Sequence, residues 1–201
     1  AEVRRILDMG VELKLDSRVD DLLTTMQSGK FDACFLAVGA HIAKRAYIPA
    51  GDASKVLDAV SVLRGMEDAD KPLLGRRVVV YGGGNTAIDV ARTAKRLGAE
   101  ESIIVYRRTR EKMPAHDFEV EEALQEGVQM KWLTTVKEAG EASLMVEKMA
   151  LDENGFPQPT GEFEPIEADS LVLALGQDVD LGLLAAVAGL TFDNGSVQVD
   201  A

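Results

Sequence analysis

The sequence predicts an α/β fold: a parallel sheet built from βαβ units, joined to an antiparallel β-meander. Three observations predict it. RRVVVYGGG (76–84) reads as a buried strand running into a glycine-rich turn. NTAIDVARTAKRLG (85–98) reads as a helix with Ala87, Ala91 and Ala94 on one face, and SIIVY (102–106) as a second buried strand. Strand, helix and strand within about 30 residues make a βαβ unit. From Val136 onward, apolar–polar alternation and turn residues replace helical spacing, which is the texture of a meander.

The remaining elements follow in chain order. Residues 1–9 read as a helix closing at Gly10, because glycine readily takes the left-handed conformation that ends helices. VELKL (11–15) alternates as a half-buried strand does. ACFLAVG (33–39) is a continuous apolar run, which predicts a strand covered on both faces. HIAKRAYIPAGD (41–52) is punctuated like a loop or linker. VLDAVSVLRGM (56–66) has helical spacing through Val56, Val60, Leu63 and Met66. Pro114 marks a new start, FEVEEALQEG (118–127) a helix ending at Gly127, and MKWL (130–133) a strand. SLMVEKMALD (143–152) alternates, and NGFPQPTGEFEP (154–165) is turn-rich. SLVLALG (170–176) returns to a buried strand ending in glycine. LGLLAAVAGL (181–190) is a helix or helical loop, and SVQVDA (196–201) a strand just begun. Neither end resembles a natural terminus, so an excised piece of a longer protein is expected. No tandem repeat is present.

Composition narrows the function. The 201 residues are 46% apolar and 28% charged, ordinary for a globular chain. With 34 acidic against 22 basic side chains the formal charge is −12. General binding to nucleic acid or to an anionic membrane is therefore not expected. No apolar run approaches the ~20 residues of a membrane helix, and no signal peptide is visible. A cytoplasmic setting is expected. The single cysteine, Cys34, reads as a small buried hydrophobe. His41 and His116, the only histidines, read as surface or loop residues, so no metal site is expected.

Gly82-Gly83-Gly84-Asn85-Thr86-Ala87 fits G-x-G-x-x-G/A, and it follows a strand and opens a helix. In that context it is the fingerprint of a Rossmann-like dinucleotide site. Gly82 allows the tight turn, Gly84 lets a pyrophosphate approach the backbone, and Ala87 lets helix and strand pack closely. The helix N-terminus then faces the phosphates. A glycine-rich turn serving packing alone is the bland alternative. The second strand of such a unit ends near the adenosine ribose, where NAD and FAD sites commonly carry a carboxylate. Here Arg107 and Arg108 stand at that point. A guanidinium fork matches a 2′-phosphate, so NADPH is the expected cofactor. Arg110 and Lys112 could add to this from the loop, the alternative being a solvated charge run.

These residues carry a resemblance. VVVYGGGNTAIDVART followed by VYRRTREKMPA resembles the small (β) subunit of NADPH-dependent glutamate synthase. It also resembles related flavoproteins, including dihydropyrimidine dehydrogenase and adrenodoxin-type reductases. FDACFLAVGA is similar to the family strand with an A-T-G-type ending, here Ala37-Val38-Gly39. SLVLALGQ is similar to the strand ending in A-I-G-Q, here Ala174-Leu175-Gly176-Gln177. The resemblance implies an FAD domain into which an NADPH domain is inserted, with electrons passing from NADPH through the flavin to iron–sulfur clusters. It implies residues 1–45 and 178–201 as partial FAD-domain segments and 46–177 as the NADPH-binding domain. By motif, Gly82, Gly83, Gly84, Asn85, Thr86 and Ala87 would hold the pyrophosphate, and Arg107 and Arg108 the 2′-phosphate. Glu119 matches a family acid near the adenosine side, and Gly176 and Gln177 would lie near the nicotinamide end or the hinge. The FAD fingerprint and the cysteine clusters of the family are absent from these residues, so this chain alone is expected to be inactive. The implied partners are the FAD domain of the same chain and an iron–sulfur domain or large glutamate synthase subunit. Flanks that the FAD domain would cover are expected to expose apolar faces, which dimerisation could bury. No catalytic side chain is expected, because hydride transfer is the cofactor's chemistry. A stand-alone NADP-dependent dehydrogenase and a non-catalytic nucleotide-binding module are the rival readings.

Overall fold

The computed structural model describes residues 2–40, 42–44, 48–49, 55–66, 71–193 and 195–199. His41 lies outside them. The chain divides into two compact units, 1–40 with 179–201, and 41–178.

In the smaller unit, α1 (Glu2–Leu7) and α2 (Leu22–Gly29) are short helices. The Asp21 carboxylate caps α2 by accepting from the Thr24 backbone N–H at 3.0 Å. Two predicted strands do not form. Residues 11–15 and 33–39 have no ladder partner among the described residues. A strand is held by its neighbour's backbone as well as by apolar content. Cys34, expected inside, is therefore exposed, and Phe35 beside it is 93% exposed.

The larger unit opens with β1 (Ile42–Ala43), followed by β2 (Lys55–Asp58), α3 (Ala59–Arg64), β3 (Arg77–Tyr81), α4 (Asn85–Arg96) and β4 (Glu101–Tyr106). The helix expected over 56–66 is thus split. Val56 lies on β2, and the Asp58 carboxylate caps α3 by accepting from the Ser61 N–H at 2.8 Å. Next come α5 (Asp117–Gln125), β5 (Gln129–Trp132), β6 (Thr134–Ala139), β7 (Ser143–Leu151), β8 (Pro157–Glu167), β9 (Ser170–Leu173) and β10 (Gln177–Asp178). β10 pairs antiparallel with β1. The smaller unit ends in a 3-10 turn over Gly182–Leu184 and a hairpin of β11 (Phe192–Asp193) and β12 (Ser196–Val197).

Five strands form a parallel sheet in the order β2-β9-β3-β4-β5. This is the predicted Rossmann-like α/β architecture. Alternate residues of the buried strands serve opposite faces. Val78, Val80, Ile104 and Val172 pack with Ile88, Val90 and Ala91 of α4 and Val120 of α5. Val79, Ile103, Val105, Leu171 and Leu173 pack instead on Val136, Leu144, Val146 and Ile166 of the meander. The meander β6-β7-β8 is antiparallel, as predicted. The segment that reads as turns, 154–165, is largely β8. Among the described residues this strand pairs only with β7, and an edge strand tolerates Pro157, Pro159 and Pro165.

Candidate nucleotide-binding site

Three segments converge at the carboxyl edge of the parallel sheet. β3 runs into Gly82–Gly84, β4 into Arg107–Arg108, and β9 into Ala174–Gly176. β9 and β4 flank β3 on opposite sides, so the glycine turn sits where the strand order reverses. In open α/β sheets this is where ligands bind. A cleft of about 660 Å³ opens there. It is lined by Gly82, Gly83, Gly84, Thr86, Arg107, Arg108 and Gly176 of the expected residues. Lys44, Tyr81, Tyr106, Pro114, Ala174 and Leu175 complete the wall.

The three glycines have different reasons. Gly82 has φ +153°, and a β-carbon there would overlap the Ala174 carbonyl oxygen. A β-carbon on Gly83 would lie 2.5 Å from the Tyr106 ring. On Gly84 it would meet nothing within 4 Å. Gly84 is therefore spared for something other than protein packing. It is also the N-cap of α4, with no side-chain cap. The Ala87 N–H donates to the Gly84 carbonyl at 2.9 Å, and the N–H groups ahead of it, at Asn85 and Thr86, are the ones that could meet an anion.

The arginines differ in how their charge is met. Arg76 pairs with Glu100, Arg77 with Glu167 and Asp169, Arg92 with Glu122 and Glu126, Arg96 with Glu126, and Arg110 with Glu121. Among the described residues, no carboxylate pairs with Arg107 or Arg108. They are adjacent cations at the cleft with their fork donors available. Burial raises the Tyr106 hydroxyl above its ordinary range, opposed by the nearby charges of Arg108 and Arg107. Open space over Gly84, an uncapped helix start and two unpaired guanidiniums fit a dinucleotide that carries an extra phosphate.

Not every expected residue faces the cleft. Ala87 is fully buried and packs α4 onto the sheet. The Asn85 side-chain oxygen accepts from the His116 backbone N–H at 3.0 Å. Arg110 lies in a separate depression with His116 and Asp117. Glu119 is absent from the cleft wall, and its Oε2 is sequestered without a hydrogen bond among the described residues. Gln177 is on β10, opposite Ala43. Lys44 and Tyr106 were missed. Lys44 follows β1, bonds the Gly176 carbonyl through its N–H at 2.9 Å, and pairs with Asp178 at 3.1 Å. Its position depends on the β1–β10 pairing, which no local pattern announces. Tyr106 was legible only as the last residue of an apolar strand.

The chain belongs to the pyridine nucleotide-disulphide oxidoreductase family, whose model matches residues 3–201. It is 37% identical over 202 residues to the NADPH-Fe(3+) oxidoreductase subunit beta of Geobacter sulfurreducens, covering 92% of this chain and 30% of that relative. It is 33% identical over 197 residues to the glutamate synthase NADPH small chain of Escherichia coli K12, covering 84% of this chain and 41% of that one. The chain thus spans less than half the length of either relative. Mycobacterium tuberculosis FprA in complex with NADPH has the same fold, with a TM-score of 0.69 and 20% identity over 92% of this chain and 58% of that one. Among the described residues, no helix is long and apolar enough to cross a membrane, and no side-chain cluster could hold a metal ion.

Proposed function

We propose that this chain is the NADPH-binding portion of a flavoprotein oxidoreductase resembling the glutamate synthase small chain. The observation that carries this reading is the pair of guanidiniums, Arg107 and Arg108, without a carboxylate partner among the described residues, beside a glycine turn whose Gly84 faces open space. The turn and the start of α4 hold the pyrophosphate through backbone N–H groups. Arg107 and Arg108 hold the 2′-phosphate by forked, charge-assisted bonds. Gly176 and Gln177 are assigned to the nicotinamide end or the hinge, and Glu119 to the adenosine side.

NADPH supplies a hydride; these residues bind and orient the nucleotide. The 201 residues contain one G-x-G-x-x-G/A sequence, the one used here. The flavin is assigned to further residues of the same protein, with 1–45 and 178–201 contributing flanking segments. Iron–sulfur centres in a neighbouring domain or subunit are the assigned destination of the electrons. A cytoplasmic setting is part of the same proposal.

The experiment is a titration of the complete protein with NADPH and NADH, for the native chain and for Arg107→Ala/Arg108→Ala. Each hydrogen bond to a charged group contributes about 1.5–3 kcal/mol. Loss of two should reduce the preference for NADPH by about a hundredfold or more, at about 1.4 kcal/mol per decade. An unchanged preference would refute the assignment. NADPH-dependent flavin reduction by the complete protein supports an oxidoreductase, whereas binding without reduction points to a non-catalytic module.

A further inference from the structure

Two contacts join the arginine segment to the glycine turn, and both are distant in sequence. The Ala115 N–H donates to the Gly83 carbonyl at 3.1 Å. The His116 N–H donates to Asn85 Oδ1 at 3.0 Å. A third contact closes the segment on itself: the Tyr106 hydroxyl donates to the Lys112 carbonyl at 2.7 Å. The Tyr106 ring lies against Gly83, where a β-carbon would come within 2.5 Å of it. The Leu133 N–H fixes the Arg108 carbonyl at 3.1 Å. The segment 107–116 is thus tied to β4 at one end, to the turn at the other, and across its middle.

A nucleotide with a 2′-phosphate presents two anionic groups at a separation set by its own covalent frame. Binding both at full strength requires the glycine turn and the guanidiniums to be held at a matching separation. A loose arginine segment would have to be ordered on binding, at a cost in affinity. That cost falls only on the nucleotide that uses the arginines.

We infer that Asn85 and Tyr106 are positioning residues that latch the Arg107–Arg108 segment to the glycine turn, and so set selectivity for the 2′-phosphorylated nucleotide. This inference rests on the NADPH reading above. Asn85 acts through its side-chain oxygen on His116. Tyr106 acts through its hydroxyl on Lys112, while its ring fills the space left by Gly83. The hydroxyl is spent on the protein, so Tyr106→Phe removes the latch and keeps the ring.

The test compares the native protein, Asn85→Ala, Tyr106→Phe and Arg107→Ala/Arg108→Ala, each as the complete protein. NADPH and NADH affinities are measured with Tm alongside. Each latch variant should lose about threefold to tenfold of its preference for NADPH, the range expected for one neutral hydrogen bond. NADH affinity should fall by less than NADPH affinity in each variant, because NADH makes no use of the arginines. A merely structural role would lower Tm and both affinities together and leave their ratio native; that result overturns the latch. If Asn85→Ala does not fold, Tyr106→Phe decides. If the double arginine variant collapses the ratio while both latch variants keep it, the latch fails and the NADPH reading stands. If the double arginine variant keeps the native ratio, the NADPH reading itself fails, and the latch with it.

Discussion

Gly82 and Ala174 are packed so closely that a β-carbon on Gly82 would overlap the Ala174 carbonyl oxygen. That oxygen is backbone, held because the Ala174 N–H donates to the Tyr81 carbonyl at 2.9 Å. Neither partner can step aside without disturbing the β3–β9 ladder. Gly82 also has φ +153°, a conformation that L side chains rarely adopt.

Gly82→Ala should therefore destabilise the larger unit, with strain on the order of 1–3 kcal/mol and loss of nucleotide binding. Gly84→Ala should behave differently, because its methyl group meets no protein atom within 4 Å and its φ is −88°. Its Tm should fall only slightly, by the amount a poorer N-cap costs, roughly 0.5–1 kcal/mol. Its NADPH affinity should fall about tenfold or more, equivalent to about 1.4 kcal/mol. Thermal denaturation with and without NADPH checks both variants.

Acid should weaken the contact between α4 and α5. Hydrogen bonds from Arg92 and then Arg96 hold the Glu126 carboxyl down to about 2. An unfolded glutamate titrates near ~4.3. The folded group binds its proton less readily, so its contribution is present above the unfolded value and is lost as pH falls toward 2. Glu126→Gln should be less stable than the native protein at pH 6. The difference should shrink as pH falls through 4 toward 2. Parallel melts across this range test it, and a pH-independent difference would contradict the pairing.

The meander is part of the larger unit's core. Leu144 on β7 is fully buried between the meander and the parallel sheet. Leu144→Ala should cost about 2–5 kcal/mol and lower Tm by about 4–20 °C, at about 2–4 °C per kcal/mol for a domain of roughly 150–250 residues. Nucleotide affinity measured well below Tm should be unaffected, because Leu144 does not line the cleft. A Tm within a degree or two of native would show that the meander packs loosely.

The βαβ unit was legible because each of its features has a local cause. Val78–Val80 and Ile103–Val105 are continuous apolar runs because both faces of the sheet are covered, by helices on one side and the meander on the other. The same texture misled at 33–39, where no neighbouring strand is present among the described residues. Apolar content signals a wish for burial and does not supply the ladder. The prolines of β8 hid a strand, since the tolerance of an edge depends on which partner it lacks. In the site, Gly82, Gly84, Arg107 and Arg108 were legible from spacing. Lys44 was not, because only the β1–β10 pairing brings it to Gly176. Asn85 was found by motif, but its side chain reaches the His116 backbone, a partner 31 positions away.

The most direct measurement of the central claim compares 2′,5′-ADP with 5′-AMP, two ligands that differ by the 2′-phosphate alone. Calorimetric titration should show 2′,5′-ADP binding about a hundredfold more tightly, and Arg107→Ala/Arg108→Ala should abolish the difference. Equal affinity for the two ligands in the native protein would contradict the account.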